Sequence, residues 1–246
     1  MTTHKEFLDE RVENVKRCYQ DHMFVDRNIN LLSELARNKY YYNFDWLGLP
    51  IIAYPQDVVA LQEIIWKTKP DVIIETGVAR GGSVVLSASI LHLVHGNDHK
   101  GLCIGIDIDI RPHAIDMIEK HPLAFRIRLL QGSSLDRSII EQVIAIIEPD
   151  QRVMVILDSD HTEAHVLEEL ERYSPLVTKD CYLVVMDTGI EDDPGDFLDR
   201  PWGKGNNPKT AVHKFLKQNN RFEVDDFIHS KLLQTAAPDG YLKCVK

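Results

Sequence analysis

The alternation of apolar runs with helix-length segments from Pro70 onward limits the folds that this chain can adopt. Runs such as Val72–Ile74 and "VMVIL" are each followed by a segment with the periodicity of an amphipathic helix. Uninterrupted apolar runs are typical of strands that are covered on both faces, and strand–helix alternation is typical of parallel sheets. The pattern therefore predicts an α/β fold with a mostly parallel sheet and helices on both faces.

The first 45 residues differ from this pattern. Residues 4–38 carry apolar side chains at steps of three and four among charges, which predicts amphipathic helix. Residues 40–57 are aromatic and interrupted by proline, so no regular element is predicted there. We divide the chain into an N-terminal helical extension (1–45), serving as a lid or an oligomerisation element, and a domain spanning 46–246. A homo-oligomer is expected, and the long irregular segment 188–209 is predicted to be a flap.

Composition and charge exclude several classes of partner. The 246-residue chain has 28 Lys and Arg against 38 Asp and Glu, a net charge of −10, which argues against nucleic acid or an anionic membrane surface. No apolar run approaches the length of a membrane span, and the N-terminus lacks a signal-peptide core. Four cysteines without a CxxC pair predict free thiols in a reducing, cytoplasmic compartment.

Polar residues stand where the predicted strands end. A single acid in such a position could simply cap the following helix, but five successive strand ends predict a polar crevice at one edge of the sheet. Ligands of parallel sheets bind at that edge. The residues concerned are Glu75, Asp107, Gly132–Ser133–Ser134, Asp158 and Asp187.

The loop "ETGVARGGS" after the first of these strands is glycine-rich but lacks the GxGxxG spacing. Gly77 permits a sharp turn and close approach of a ligand, while Gly81 and Ser83 stand at the start of the next helix. Glu75 would repel a pyrophosphate but suits an ammonium group. This favours S-adenosylmethionine over NAD as the ligand, and an NAD-dependent oxidoreductase remains the alternative.

The next two strand ends have predicted roles in binding the same ligand. Asp107 can accept hydrogen bonds from ribose hydroxyls, with Asp109 as the alternative residue. Gly132, Ser133 and Ser134 are predicted to lie beside an adenine ring, with one of the two serines as a hydrogen-bond donor.

Five motifs in order resemble a known family. "VIIETGVARGGS", "IGIDID", "LLQGSS", "ILDSDH" and "RPWGKGNNPKTAVHKFL" are similar to the cephalosporin hydroxylase/rhamnosyl O-methyltransferase-type family of S-adenosylmethionine-dependent methyltransferases. The resemblance covers about residues 45–243 and implies a class I methyltransferase (Rossmann-like) fold, a seven-stranded sheet with a reversed last strand. It also implies an O-methyltransferase acting on a small hydroxylated acceptor, expected to be a sugar, as in polysaccharide biosynthesis.

Asp158 and Asp187 could supply carboxylate ligands to Mg²⁺. Members of the family often have two adjacent acids at the second position, where this chain has Met186 before Asp187. A similarity to catechol- and caffeoyl-CoA-type O-methyltransferases adds Thr188 to the implied ligands, and Asp158 is also expected to border the methyl donor. The alternative is that these acids bond loop backbone and hold no metal.

His161, three residues after Asp158, is the predicted general base for removing the proton of the acceptor hydroxyl, since an imidazole pKa near 6.5 suits that role. The resemblance implies the same role, and a histidine that only supports the loop is the alternative. His165 is interpreted as structural. Trp202 could close over the acceptor or anchor its own loop, and the second interpretation is favoured.

Three other functions stay open at this point. They are the NAD-dependent oxidoreductase, a metal-dependent hydrolase built on "DSDH", and a cofactor-binding subunit without catalysis. The absence of further histidine ligands for a metal argues against the hydrolase. Met186, which stands where the family often has an acid, is the best argument for the non-catalytic subunit.

Overall fold

The computed structural model describes residues 2–96, 101–195 and 199–246, and its elements follow the predicted alternation. Within those residues the α-helices are α1 (His4–Gln20), α2 (His22–Arg37), α3 (Pro55–Thr68), α4 (Gly82–His95), α5 (Pro112–Glu119), α6 (Arg137–Ile146), α7 (Glu163–Tyr173), α8 (Pro208–Gln218) and α9 (Asp226–Lys231). The strands are β1 (Phe44–Trp46), β2 (Leu49–Ile51), β3 (Val72–Thr76), β4 (Leu102–Asp107), β5 (Ile127–Gln131), β6 (Val153–Leu157), β7 (Tyr182–Val185), β8 (Phe222–Val224) and β9 (Tyr241–Cys244).

Seven of the described strands form one sheet, in the order β5-β4-β3-β6-β7-β9-β8. The strands β3 to β7 pair in parallel, and β9 runs antiparallel to both β7 and β8. The predicted fold is confirmed, including the reversed last strand. From β3 the chain adds β4 and β5 on one side and then β6 and β7 on the other. The carboxyl ends of β3, β4 and β6 therefore lie at the point where the strand order reverses, which is where α/β sheets bind ligands.

The central strands β3 and β6 are apolar except at the carboxyl end of β3, because both of their faces are covered. Every residue of β3 and β6 is buried. Full burial of each valine or isoleucine side chain contributes roughly 1.5–3 kcal/mol, so these strands anchor the domain. The polar side chains that follow them are therefore confined to the sheet edge.

The predicted N-terminal helix is two helices, since Asp21 caps α2 by accepting a hydrogen bond from the Phe24 N–H. No residue of α1 is buried, and α2 buries only Ser33. Tyr19 Oη lies 2.5 Å from His229 Nε2 of α9, which ties α1 to the domain.

The prediction of irregular structure for residues 40–57 is wrong in part. Phe44–Trp46 and Leu49–Ile51 form an antiparallel hairpin, and Pro55 begins α3. Strands of three residues are too short to give a recognisable alternation. The hairpin spans the predicted boundary between residues 45 and 46, and that boundary stays a prediction.

The last part of the described chain forms a strand pair that is interrupted by a helix. Strands β8 and β9 are antiparallel neighbours, but α9 lies between them in the chain. Asp225 caps α9 by accepting hydrogen bonds from the N–H groups of Phe227 and Ile228. That cap was the sequence signal for this helix.

All four cysteines are free thiols, and three of them are buried. Among the described helices, none combines the length and the apolar character needed to cross a membrane.

Candidate active site

A small cavity opens at the carboxyl ends of β3 and β6. Its lining residues are Ile51, Ile52, Ala53, Asp57, Leu61, Glu75, Ser83, Leu86, Ile156, Asp158 and Met186. Glu75 is buried at the end of β3, and Ser87 Oγ donates a hydrogen bond to its carboxylate at 3.3 Å. Burial raises the pKa of Glu75 to about 7, against the opposing effect of hydrogen bonds from Ser83 and Ser87. The cavity therefore holds a buried carboxylate whose ionised form a bound cation would stabilise.

Glycine is required where the loop after β3 touches the loop after β6. Gly77 has φ +91°, and a Cβ atom there would lie 1.9 Å from the carbonyl oxygen of Asp158. Gly81, with φ +87°, is the N-cap of α4, and its Cβ would lie 2.8 Å from the Ile118 side chain. These glycines let the chain turn tightly around the cavity.

Asp107 holds the glycine loop from the end of β4. Its Oδ2 accepts hydrogen bonds from the N–H groups of Val78 (2.9 Å) and Ala79 (3.0 Å), and its Oδ1 from that of Asp109 (3.0 Å). Asp109 itself faces Arg111 at 3.5 Å. Asp107 thus has a structural role that the sequence did not predict, and ribose binding by either aspartate stays a prediction.

The segment after β5 lies where the adenine subsite was predicted. Ser134 is buried, and its Oγ lies 3.3 Å from His165 Nε2. Ser133 Oγ accepts a hydrogen bond from the Leu135 N–H at 3.3 Å. Gly132 is packed against Ile139, whose side chain would lie 2.7 Å from an added Cβ. Contact of these residues with an adenine stays a prediction.

A polar network that the sequence did not predict lies next to Ser134. Ser159 Oγ donates to Glu169 Oε1 at 2.8 Å, and His165 Nε2 lies 3.1 Å from Ser159 Oγ. Glu169 is fully buried on α7, and its hydrogen bond raises the pKa of His165. The spacing of His165 and Glu169, four residues on a predicted helix, was the available signal. The network supports the structural interpretation of His165.

Asp158, His161 and Asp187 come together beside the cavity. Each offers one ligand atom, and these atoms all lie within 4.8 Å of one another. His161 Nε2 lies 3.3 Å from Asp187 Oδ2, and both side chains are partly exposed. Burial is the main cause that raises the pKa of Asp158 well above its usual value, and the nearby charges of Asp187 and Glu75 raise it further. Crowded acids of this kind favour a cation.

The two carboxylates of this cluster fit a divalent cation such as Mg²⁺, because they offer oxygen ligands within 4.8 Å of each other. Met186 lines the cavity and adds no carboxylate. Thr188 is not supported as a ligand: it is fully buried, and its hydroxyl donates to the carbonyl of Pro238. Of the implied metal ligands, Asp158 after β6 and Asp187 after β7 therefore remain.

Trp202 packs edge-to-face on His161, with ring centroids 4.7 Å apart and an interplanar angle of 86°. The guanidinium of Arg200 lies 5.3 Å from the centre of the indole. The loop after β7 therefore reaches back to the predicted base, a contact that sequence alone could not establish.

Comparison with known proteins identifies the family of this chain. The family described as rhamnosyl O-methyltransferase/CmcI matches residues 38–245. A rhamnosyl O-methyltransferase of Mycobacterium tuberculosis (strain ATCC 25618 / H37Rv) is 32% identical over 226 residues, which cover 88% of this chain and 86% of that protein. One from Mycobacterium leprae (strain TN) is 29% identical over 240 residues, covering 95% and 98% of the two chains.

Solved structures share the fold. CmcI in its D160 form, described with Mg and SAM, has a TM-score of 0.57 at 17% identity and covers 83% of this chain and 78% of its own. An O-methyltransferase from Bacillus cereus in complex with SAH has a TM-score of 0.55 at 14% identity, with 90% of each chain covered. The fold is that of class I methyltransferases, and the family match over 38–245 shows that this chain belongs to the rhamnosyl O-methyltransferase/CmcI family.

Proposed function

We propose that this protein transfers the methyl group of S-adenosylmethionine to a hydroxyl group of a sugar. The observation that carries the proposal is the placement of His161 beside Asp158 and Asp187, next to the cavity that contains Glu75. The relatives named rhamnosyl O-methyltransferases support a sugar as the acceptor. Membership of this family also argues against the NAD-dependent oxidoreductase and the hydrolase.

The methyl donor brings two positive charges to an acidic cavity. Glu75 receives its ammonium group, and Asp107, Gly132, Ser133 and Ser134 border its nucleoside. The neighbouring carboxylate of Asp158 favours the sulfonium, which is more positive than the thioether product. Binding therefore depends on charge complementarity within a partly enclosed site.

Methyl transfer needs alignment and the removal of one proton. An electron pair of the acceptor oxygen forms the new C–O bond as the C–S bond breaks, and its electrons stay on sulfur, which gives S-adenosylhomocysteine. His161 takes the hydroxyl proton. Asp187, 3.3 Å from His161 Nε2, stabilises the resulting imidazolium.

Asp158 and Asp187 would hold a divalent cation such as Mg²⁺. When bound, the cation stabilises negative charge on the acceptor oxygen. With Thr188 turned away and Met186 offering no carboxylate, these two aspartates supply the carboxylate oxygens of the cluster.

Substitution of His161 tests the base. His161→Ala should lower turnover by about 10²–10⁴-fold with little change in the dissociation constant of S-adenosylhomocysteine, because the ring acts on the acceptor proton. Turnover is followed with S-adenosylmethionine and methyl α-L-rhamnopyranoside, and affinity by calorimetry. His213→Ala, a half-exposed histidine of α8, is the matched control and should be fully active. Full activity of His161→Ala would remove the base assignment.

The cation is tested separately. Asp187→Ala should abolish any dependence of turnover on added Mg²⁺, and EDTA should lower the rate of the unmodified protein. If EDTA leaves the rate unchanged, the two aspartates do not act through a metal, and His161 remains the base. Binding of NAD without any binding of S-adenosylhomocysteine would contradict the proposed function as a whole.

A further inference from the structure

The loop after β7 presents Trp202 as a fixed aromatic surface beside His161. Gly203 and Asn206 exchange two backbone hydrogen bonds of 3.0 Å, and Asn206 Nδ2 donates to the carbonyl of Pro201 at 2.8 Å. The backbone on either side of Trp202 is therefore held by its own turn. Because the indole is only partly buried and meets the imidazole edge-to-face, it can also contact a molecule bound over His161.

The segment before β1 brings a second aromatic side chain, Tyr41, close enough to Asp187 and Arg200 to interact with their charges. The carbonyl of Tyr41 accepts a hydrogen bond from the N–H of Ala53, which lines the cavity with Asp158. The Tyr41 ring packs on Tyr54 at 5.3 Å between centroids. Burial, with a contribution from the charge of Asp187, raises the pKa of Tyr41 to about 12, so its phenol stays protonated at neutral pH.

The two segments are joined to each other. Ser33 Oγ of α2 donates to Asp193 Oδ1 at 2.6 Å, and the Arg37 guanidinium donates to Ser33 Oγ at 2.9 Å. Asp193 belongs to the same loop as Trp202. Ser33 and Asp193 therefore join the N-terminal extension to the loop after β7. Asp187 lies at the start of that loop, 3.3 Å from His161.

We infer that Tyr41 and Trp202 are the aromatic walls of an acceptor cleft that holds a pyranose ring with one hydroxyl directed at His161. The inference rests on the proposed function and names the residues that select its acceptor. A pyranose has faces of C–H bonds and an edge of hydroxyl groups. Aromatic faces are electron-rich and attract C–H groups, so walls of this kind hold the ring by its faces and leave the hydroxyl edge free.

Stacking would fix the orientation of the acceptor as well as its affinity. A cyclic sugar held by its faces presents the same hydroxyl at each encounter, which is the main requirement of methyl transfer. An acyclic polyol has the same hydroxyl groups but no ring face. The cleft should therefore bind methyl α-L-rhamnopyranoside and discriminate against L-rhamnitol, its open-chain counterpart.

The test separates acceptor binding from chemistry. Trp202→Leu should raise the KM for methyl α-L-rhamnopyranoside about tenfold or more, lower kcat by a smaller factor and leave the affinity for S-adenosylhomocysteine unchanged. Trp202→Phe, which keeps an aromatic face, should recover most of the loss, and Tyr41→Leu and Tyr41→Phe should behave in the same way. Trp66→Leu is the matched control, since Trp66 is exposed near the far end of α3 and outside the cavity lining.

A binding measurement without turnover completes the experiment. In saturation-transfer NMR of the S-adenosylhomocysteine complex, the ring C–H protons of the rhamnoside should receive magnetisation, and L-rhamnitol should receive much less. Trp202→Leu should remove the signal. Unchanged KM and unchanged transfer in Trp202→Leu would overturn the cleft and leave the methyltransferase assignment intact.

Two further results would also overturn the inference. If kcat falls and its pH profile shifts while KM is constant, Trp202 only positions His161. If the unmodified complex transfers no magnetisation to either probe, the cleft does not bind a pyranose. A failure of the proposed function is recognised independently, because the protein would then not bind S-adenosylhomocysteine in calorimetry.

Discussion

At the residue scale, Glu75 is the group whose charge state should control binding of the methyl donor. Its pKa is raised to about 7 by burial in the cavity, where Asp158 is a neighbouring acid. An ammonium group needs the ionised carboxylate. Below pH 7 binding must first remove a proton from Glu75, so affinity should increase as pH rises through 7 and then level off.

The change is measured by calorimetry with S-adenosylhomocysteine. Between pH 6 and pH 8 the affinity should rise about tenfold, and binding at pH 7 should release about half a proton. Glu75→Gln should bind more weakly at pH 8 and lose most of this dependence. Asp116→Asn, an exposed acid of α5 outside the cavity lining, should retain it. An unchanged pH dependence in Glu75→Gln would assign the titration to another group.

Gly77 is the glycine at which an added side chain would make the closest contact. Gly77→Ala should lower the free energy of unfolding by about 2–5 kcal/mol, since it combines a left-handed backbone with a clash against the Asp158 carbonyl. Gly48→Ala has a similar φ of +94° but meets no atom within 4 Å, so it should cost only about 1–2 kcal/mol. Urea unfolding of both variants measures the difference, and equal losses would show that the loop avoids the clash.

Sequence reasoning succeeds for residues whose position follows from the sheet. Glu75, Asp158 and Asp187 end strands at one edge, so their proximity could be predicted from the strand–helix alternation. Thr188 and Glu169 could not be assigned in this way. The hydroxyl of Thr188 donates to the carbonyl of Pro238, fifty residues further along the chain. Glu169 accepts a hydrogen bond from Ser159 because of the way in which α7 packs in the fold.

At the scale of elements, buried Asp57 ties the start of α3 to the end of the chain. Its carboxylate accepts hydrogen bonds from the Thr235 hydroxyl, the Ala236 N–H and, at 2.8 Å, the Tyr241 hydroxyl. Asp57 lines the cavity as well. These bonds connect β9, next to β7 in the sheet, with the helix that follows the N-terminal hairpin.

Removing one donor tests this connection. Tyr241→Phe should lower the free energy of unfolding by about 1.5–3 kcal/mol, because the acceptor is a fully buried carboxyl group. Tyr182→Phe on β7 is the matched control. Tyr182 is equally buried, but its partner Asp225 is partly exposed, so water can replace the lost donor and the cost should be about 0.5–1.5 kcal/mol. Equal costs, measured by urea unfolding, would contradict the anchoring role of Asp57.

The success of prediction also depends on the length of each element. Strands β3 and β6 and helix α4 were evident because five or more residues share one pattern. The hairpin of β1 and β2 was missed because strands of three residues, FDW and LPI, are too short to show a periodicity. The structure of such short segments depends on the residues against which they pack, and these are distant in the sequence.

At the scale of the whole molecule, the N-terminal helices expose apolar side chains that the domain does not cover. Phe7 of α1 is 58% exposed and Met23 of α2 is 71% exposed, and no residue of α1 is buried. An amphipathic pair of helices with so little buried surface gains stability by pairing. Symmetric association of identical chains is the commonest solution among soluble proteins, so we predict that the protein self-associates through α1 and α2.

Light scattering after gel filtration measures the state directly. At micromolar concentration the mass should be at least twice the 28.2 kDa of one chain. The double substitution Phe7→Glu and Met23→Glu should give a monomer, because paired chains would have to bury four unpartnered carboxylates. Neither residue lines the cavity, so the affinity for S-adenosylhomocysteine should not change. Leu93→Glu, a comparable exposed position on α4, should leave the mass as it is. A monomer mass for the unmodified protein would rule out self-association through these helices.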